Sequence, residues 1–223
     1  MTIAGVFLIN KPVGITSHDV VDRLRKITGE RRIGHAGTLD PAAEGLMIVA
    51  IGREATKTLS RYSGLGKTYE AEITLGYSSS TYDREGELVK VSDAQPLLEQ
   101  VVPVVKSFIG KQEQMPPIFS AKKIGGKKAY DLARAGRAVT LKLQAIELYS
   151  IEILGYRYPV LKLRVAVSSG AYVRSLAYDL GVKLRTGAYL SALKRTRVGD
   201  YELARAADLD KLSTPADLLA AKI

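Results

Sequence analysis

The order of apolar and polar residues along the chain predicts many short strands. Some segments are continuously apolar, which is typical of strands buried on both faces, and others alternate apolar and polar residues, which is typical of strands with one buried face. Residues 147–154 and 160–167 predict a long antiparallel pair, and the strand at residues 87–91 is expected to pair with the one at residues 69–75. The predicted strands lie at residues 5–10, 46–51, 69–75, 87–91, 147–154, 160–167 and 190–198.

Helices are predicted where apolar residues recur every three or four positions. The first follows a cap at Thr16 or Ser17 and ends at Gly29, with Val20 and Leu24 on its apolar face. The other predicted helices lie at residues 55–62, 97–109, 129–135 and 172–184, with short helices between residues 208 and 221.

A glycine-rich loop is predicted at residues 33–45, between a helix and a strand. It contains one histidine, His35, and one aspartate, Asp40. Because Pro41 disfavours the α region for the residue before it, Asp40 is expected to be extended or in a turn. A carboxylate held on a rigid loop is a candidate catalytic group. The alternative is that Asp40 and Pro41 simply start a turn.

Length and charge narrow the class of protein. The chain has 223 residues, enough for one good hydrophobic core, and a single domain over residues 1–223 is expected. Lys and Arg total 33 against 23 Asp and Glu, so the formal net charge is +10. Such an excess indicates a polyanionic partner, nucleic acid before membrane. The alternative is a basic protein that has no such partner.

Several kinds of site are excluded by residues that the sequence lacks. It contains no cysteine, which excludes disulfides, thiolate nucleophiles and cysteine-based zinc sites. His18 and His35 are its two histidines, so a zinc site with three histidine ligands is not expected. The first residues lack the basic and apolar regions of a signal peptide, and no run approaches the roughly 18 apolar residues of a membrane span. We therefore expect a cytoplasmic protein without membrane contact.

A basic segment interrupted by Gly125-Gly126 occupies residues 116–139, where Asp131 is the single acid. This composition indicates an insertion, over residues 112–140, that closes over a partner. The alternative is a solvated surface hairpin. The basic residues are Lys122, Lys123, Lys127, Lys128, Arg134 and Arg137.

Six separated motifs follow one another along the chain. They are Asn10-Lys11-Pro12-Val13-Gly14-Ile15-Thr16-Ser17; Gly34-His35-Ala36-Gly37-Thr38-Leu39-Asp40-Pro41; Gly66-Lys67-Thr68-Tyr69; Pro116-Pro117-Ile118-Phe119-Ser120-Ala121-Lys122-Lys123 with Gly126 and Ala129-Tyr130; Ser169-Gly170-Ala171-Tyr172-Val173-Arg174-Ser175-Leu176 with Asp179-Leu180-Gly181; and Leu193-Lys194-Arg195-Thr196-Arg197-Val198-Gly199. In this order they resemble the motifs of the TruB family of tRNA pseudouridine-55 synthases. No single motif is decisive, but six in register are highly specific.

The resemblance implies an α+β pseudouridine synthase fold, with a central, mostly antiparallel mixed sheet flanked by helices and the basic insertion as an RNA-binding, thumb-like lid. It also implies isomerisation of uridine 55 in the T-loop of tRNA, in which the N1–C1′ bond breaks and a C5–C1′ bond forms. No metal or organic cofactor is implied, and a monomer bound to the T-arm of tRNA is expected. Larger members of the family carry a further C-terminal RNA-binding domain. Residues 201–223 are too few for such a domain, so we expect none here.

The resemblance makes Asp40, Tyr69 and Arg174 the candidate catalytic residues. Asp40 is the central group, and whether its carboxylate attacks the sugar, attacks the base or removes a sugar proton is left open. Arg174 is expected to hold that carboxylate ionised and oriented. The alternative for Arg174 is a contact with a phosphate or the surface. Tyr69 is expected to stack on the target base and to assist proton transfer from C5, unless it is an ordinary half-buried strand residue.

A second set of residues is expected to bind the substrate. The target base must leave its stack, at a cost of a few kcal/mol, and His35 is expected to fill the vacated space or contact the flipped nucleotide. The alternative for His35 is a hydrogen-bonded loop histidine. Leu193 is expected to pack against the pocket floor, and Lys11 to stabilise the loop or touch a phosphate. The full set is Lys11, His35, Tyr172, Leu193, Lys122, Lys123, Lys127 and Lys128.

A rival function is a non-catalytic RNA-binding protein, such as a tRNA-folding helper or a subunit guided by another RNA. The basic charge and the insertion fit either function. The coexistence of Asp40, Tyr69 and Arg174 in matching motifs favours the enzyme.

Overall fold

The structure is a computed structural model that describes residues 3–119 and 141–223, together with the backbone of Lys123–Ile124 and Lys127–Lys128. The chain forms two units. One comprises Met1–Tyr69 and Leu193–Ile223, and the other comprises Glu70–Ala192. The helix predicted at residues 129–135 lies outside the described residues. The single domain over residues 1–223 stays a prediction.

The strands are numerous and the helices short. The strands are β1 (Gly5–Lys11), β2 (Ile33–Ala36), β3 (Ala43–Ile51), β4 (Lys67–Leu75), β5 (Tyr77–Ser79), β6 (Leu88–Lys90), β7 (Gly110–Gln114), β8 (Lys123–Ile124), β9 (Lys127–Lys128), β10 (Gln144–Arg157), β11 (Val160–Val167), β12 (Ala188–Val198), β13 (Tyr201–Glu202) and β14 (Ala207–Asp208). The α-helices are α1 (Ser17–Thr28), α2 (Arg53–Lys57), α3 (Leu59–Ser63), α4 (Leu98–Lys106) and α5 (Val173–Leu184). Short 3₁₀ helices lie at Leu203–Arg205, Leu209–Lys211 and Pro215–Ala221.

Strand β3 is the centre of the first unit. It pairs antiparallel with β1 along one edge, while β2 and β12 share the other edge. There β2 runs antiparallel to residues 48–51 and β12 runs parallel to residues 43–45. Strand β3 is buried along almost its whole length, as its continuous apolar sequence predicts. A core cluster in this unit contains Val6, Leu8, Ala36, Leu46, Ile48, Ala50 and Val198.

Helix α1 has a cap at each end. The Thr16 hydroxyl accepts a hydrogen bond from the Asp19 N–H at 3.1 Å, and the Asp19 carboxylate accepts one from the Thr16 N–H at 2.7 Å. At the other end Gly29 is left-handed, with φ of 73°, and its N–H donates to the Arg25 carbonyl at 2.9 Å. Of the two caps predicted from the sequence, Thr16 is the one that caps the helix.

The second unit contains the strand order β4, β11, β10, β7. Strands β10 and β11 form the long antiparallel pair that their alternating sequences predict, and α4 packs against α5 and β10. Strand β4 alternates buried and half-buried residues from end to end. This alternation confirms the prediction of a strand with one buried face.

The pairing predicted for the strand near residues 87–91 is wrong. Strand β6 pairs with β5, with Tyr77 opposite Lys90, and not with β4. The reason lies at Gly76, whose φ of 96° is one that glycine adopts readily and other residues rarely do. This turn separates β5 from β4, so the returning strand meets β5 first.

The strand pairs establish the fold class. Pairs β1–β14 and β3–β12 are parallel, whereas β1–β3, β2–β3, β5–β6, β7–β10, β10–β11 and β12–β13 are antiparallel. A mixed, mostly antiparallel sheet flanked by helices confirms the predicted α+β class. Among the described residues, no helix combines the length and the apolar character needed to cross a membrane.

Candidate active site

Asp40 lies in the loop between β2 and β3. This loop is shorter than predicted, because residues 33–36 and 43–45 pair as strands despite their glycines. The Asp40 carbonyl accepts a hydrogen bond from the Ala43 N–H at 3.1 Å, and the Pro41 carbonyl accepts one from the Gly14 N–H at 2.8 Å. The loop backbone is therefore fixed by one hydrogen bond within this segment and by another from Gly14. A catalytic carboxylate requires such a rigid support.

Arg195 joins the two ends of this loop. Its side chain is buried, and its Nε donates to the Leu46 carbonyl at 2.7 Å. Its Nη2 donates to the Gly37 carbonyl at 3.0 Å and its Nη1 to the Thr38 carbonyl at 3.5 Å. One guanidinium thus binds residues before and after Asp40. Arg195 is absent from the site residues predicted from the sequence.

The backbone of Arg195 reaches this position because Gly45 has no side chain. Gly45 has φ of 109°, and a Cβ there would lie 2.3 Å from the Arg195 carbonyl oxygen. Any other residue would force β12 away from β3. The glycine therefore allows the close approach that brings the guanidinium to the loop.

Lys11 is a buried cation near the loop. Its Nζ donates to the carbonyls of Pro12 and Ile15, both at 2.8 Å. Burial lowers the pKa of Lys11 to about 8, although the nearby carboxylates of Asp40 and Glu44 raise it in part. A fully buried ammonium bound to two carbonyls favours the loop-stabilising role predicted for Lys11 over a phosphate contact.

Lys67 and Tyr69 lie on the same face of β4, two residues apart, and both are buried. The Lys67 Nζ donates to the Ser63 carbonyl at 2.7 Å. Burial, with a smaller contribution from the Arg195 charge, lowers the pKa of Lys67 to about 8. The burial of Tyr69 fits either alternative predicted for it, since a stacking ring and a packed strand residue both need an apolar setting.

The low pKa values of the two lysines predict how stability depends on pH. The folded protein releases these protons near pH 8, whereas the unfolded chain keeps them to about 10.5. Because the unfolded state then binds more protons, the free energy of unfolding should rise between pH 8 and 10.5, by about 1.4 kcal/mol for each pKa unit of difference. In urea unfolding at several pH values, Lys67→Met should show a smaller rise than the parent. Equal rises in the two proteins would contradict the burial of a charged Lys67.

His35 and Leu193 lie on strands that flank the loop. His35 is half-buried on β2, opposite Val49 of β3. Leu193 is half-buried on β12 and pairs with Ala43, the first residue after the loop. Strand pairing therefore fixes the backbones of both predicted substrate-binding residues beside the loop that carries Asp40.

Arg174 lies in the first turn of α5, in the second unit, and is 6% exposed. Its Nη1 is 3.5 Å from a carboxylate oxygen of Asp83, and both side chains are buried. Its Nη2 donates to the Phe119 carbonyl at 2.9 Å, and its Nη1 donates to the Thr81 carbonyl at 3.4 Å. Removal of one partner from such a buried pair costs about 3–5 kcal/mol. Asp83 was not predicted, although it explains why an arginine is tolerated at a helix N-terminus.

Tyr172 directly precedes α5, and its backbone is bound by one side chain. Its N–H donates to the Gln114 Oε1 at 2.8 Å, and its carbonyl accepts from the Gln114 Nε2 at 3.1 Å. The Ser175 hydroxyl donates to the Met115 carbonyl at 2.7 Å. These contacts tie the start of α5 to residues 114–119, where the predicted insertion begins.

The structure therefore groups the predicted site residues in two sets. Five belong to the first unit: Lys11, His35, Asp40, Tyr69 and Leu193. Tyr172 and Arg174 belong to the second unit, and the pairing of Arg174 with Asp40 stays a prediction. Lys122 lies outside the described residues, and Lys123, Lys127 and Lys128 are described by their backbone alone, in the antiparallel pair β8–β9. Within the part of the chain that is described, no group of three His, Asp or Glu side chains could hold a metal ion.

Comparison with known sequences gives the family. The profile of the TruB family pseudouridylate synthase (N terminal domain) matches residues 25–173, and that of the tRNA pseudouridylate synthase B C-terminal domain matches residues 174–221. The chain belongs to the TruB family. The tRNA pseudouridine synthase B of Protochlamydia amoebophila (strain UWE25) is 48% identical over 88% of this chain and 75% of its own length. That of Thermobifida fusca (strain YX) is 44% identical over 94% of this chain and 74% of its own length.

A solved structure supports the fold of this TruB member. The crystal structure of a Cbf5-Nop10-Gar1 complex contains a chain with 30% identity and a TM-score of 0.74, over 94% of this chain. The present chain spans about half of the length of that chain, 53%. The predicted family, the pseudouridine synthase fold and the isomerase class of the activity are confirmed.

Proposed function

We propose that this TruB member is a tRNA pseudouridine synthase that isomerises uridine 55 in the T-loop of tRNA. The observation that carries the proposal is Asp40, a carboxylate on a loop whose backbone is bound by Arg195 and Gly14. Both relatives compared above are named tRNA pseudouridine synthase B. The protein acts in the cytoplasm as a monomer.

The reaction needs one fixed carboxylate. The N1–C1′ bond of uridine breaks and a C5–C1′ bond forms, while C5 loses a proton and N1 gains one, so that substrate and product are isomers. Glycoside hydrolysis usually takes two carboxylic groups, because a water molecule must also be activated. Here the uracil is recaptured and no water enters. Asp40 is the single carboxylate, whether it attacks the sugar, attacks the base or removes a sugar proton.

The other predicted residues act around Asp40. Tyr69 stacks on the flipped base, and its hydroxyl takes part in moving the C5 proton. Arg174 orients the Asp40 carboxylate, and the buried Asp83 carboxylate holds the Arg174 guanidinium in place. His35 contacts the flipped nucleotide, and Leu193 forms part of the pocket floor.

The net charge of +10 favours the binding of tRNA, which is a polyanion. Contacts with phosphates supply most of the affinity of proteins for nucleic acid, and these contacts come from lysine and arginine side chains. Tyr172, next to the start of the insertion, contacts the T-arm as well. The lysines of the insertion that bind T-arm phosphates are Lys122, Lys123, Lys127 and Lys128.

Incubation with unmodified tRNA tests the proposal. We expect one pseudouridine per tRNA, at position 55, when the product is mapped nucleotide by nucleotide. A matched transcript with cytidine at position 55 should bind equally well and give no product. Pseudouridine at another nucleotide would contradict the assigned position. Binding of the unmodified tRNA without any conversion would favour the non-catalytic RNA-binding protein instead.

A further inference from the structure

Ser17 makes an unusual contact with the residue before Asp40. Ser17 is the first residue of α1, and its side chain is buried, with 3% of the residue exposed. Its hydroxyl oxygen accepts a hydrogen bond from the Leu39 N–H at 2.8 Å and donates one to the Leu39 carbonyl at 2.9 Å. One hydroxyl therefore satisfies both polar groups of the Leu39 backbone.

The helix does not need this serine as a cap. Serine at a helix N-terminus usually binds a free N–H of the first turn. Here the Thr16 hydroxyl binds the Asp19 N–H at 3.1 Å, and the Asp19 carboxylate binds the Thr16 N–H at 2.7 Å. Because Thr16 and Asp19 complete the capping box, the Ser17 hydroxyl is available for the loop.

We infer that Ser17 is a positioning residue for Asp40. The inference rests on the proposed function, since it takes Asp40 as the group that carries the reaction. The Leu39 carbonyl belongs to the peptide unit whose nitrogen is that of Asp40. A peptide unit is planar, so a hydrogen bond that fixes the Leu39 oxygen also fixes the plane that contains the N and Cα atoms of Asp40, from which its side chain extends.

The neighbouring residues of the loop are held by other groups. The Gly37 and Thr38 carbonyls bind Arg195, and the Pro41 carbonyl binds the Gly14 N–H. Ser17 differs from these groups because its side chain binds the residue directly before Asp40, Leu39. Ser17→Ala removes it by the loss of one oxygen atom, with little change of volume.

The test compares Ser17→Ala with Thr16→Ala in the chain of 223 residues. Each variant loses one hydroxyl at the start of α1. Thr16→Ala loses the helix cap and should lower Tm by about 2–4 °C, whereas Ser17→Ala leaves the buried polar groups of Leu39 without this hydroxyl and should lower Tm by about 2–12 °C. Only Ser17→Ala removes the hydrogen bonds to the Leu39 backbone. In single turnover with unmodified tRNA, below the lower Tm, we expect Ser17→Ala to be about 10- to 100-fold slower than the parent, because a shift of about 1 Å at a reacting group can cost 10²-fold. Thr16→Ala should keep the parent rate, and the Kd for tRNA should change less than about threefold in either variant.

Each outcome decides the question. A parent rate in folded Ser17→Ala, or an equal loss of rate in both variants, would overturn the positioning role and leave Ser17 as a structural residue. If the alanine variant does not fold, Ser17→Cys replaces it, since a thiol fills the space with a much weaker donor and acceptor. A parent rate in Ser17→Cys would then overturn the inference. Failure of the parent itself to form pseudouridine would contradict the proposed function and not the contact of Ser17 with Leu39.

Discussion

Asp40→Asn is expected to reduce pseudouridine formation in single turnover to background, while the affinity for unmodified tRNA stays within a few-fold of that of the parent. Asparagine is nearly isosteric with aspartate. The loop is held through backbone groups of Gly37, Leu39 and Pro41, so it should keep its shape. The variant loses the ionised carboxylate alone. Affinity should change little, because it rests mainly on phosphates and shape.

Stability must be measured beside activity, because the Asp40 carboxylate also acts on Lys11. Burial lowers the pKa of Lys11, and the carboxylates of Asp40 and Glu44 offset part of that lowering because they stabilise the charged ammonium. Loss of either carboxylate should lower Tm at neutral pH. Glu44→Gln is the matched control, since it removes a negative charge near Lys11 and leaves Asp40 intact. We expect Glu44→Gln to keep the parent rate.

Two results would contradict a catalytic Asp40. If folded Asp40→Asn still converts uridine at the parent rate, Asp40 is the turn residue that its position before Pro41 also allows. If Glu44→Gln is as inactive as Asp40→Asn, the charge balance at Lys11 explains the loss. The expected pattern, a loss of rate in Asp40→Asn alone, assigns the reaction to the Asp40 carboxylate.

Elements with strong local patterns could be predicted from the sequence. Helix α1 has an apolar face and a cap at both ends, and the sequences of β10 and β11 alternate well enough to predict the pair, although its register shifts after Leu148 and after Ile153. The sequence predicts the strand β6, but the partner that it predicts, β4, is wrong, because β6 pairs with β5. Periodicity shows that a segment is a strand, whereas its partner depends on where the chain turns. Here the turn is set by the conformation of Gly76.

The supporting residues of the site could not be predicted, because their roles depend on contacts distant in sequence. Arg195 lies among Lys194, Thr196 and Arg197, and nothing in this charged run distinguishes the buried arginine from its half-buried or exposed neighbours. Asp83 lies in a polar segment that local rules assign to a turn. Arginine and aspartate side chains are usually exposed to solvent. Their burial follows from the strand pairing and from the start of α5, which are tertiary features.

The second largest loss of rate is expected at Tyr69. Tyr69→Phe should keep tRNA affinity but lower the single-turnover rate by about 10²–10⁴-fold, the usual contribution of a group that transfers a proton. The ring of Tyr69 is buried on β4, so phenylalanine should fill the same space. Stacking on the base needs the ring, which the variant keeps. Proton transfer needs the hydroxyl, which it loses.

A second tyrosine of the same unit provides the control for this variant. Tyr62 is partly buried, its ring packs against that of Tyr201 with centroids 5.7 Å apart, and the two hydroxyls interact. Tyr62→Phe removes a hydroxyl that has no role in the proposed reaction, and it should convert tRNA at the parent rate. Tyr69→Leu, which loses ring and hydroxyl, should be at least as slow as Tyr69→Phe. Near-parent turnover by Tyr69→Phe, with slow turnover by Tyr69→Leu, would exclude proton transfer and leave stacking as the whole role of Tyr69. Near-parent turnover by both would show that Tyr69 is an ordinary packed residue of β4.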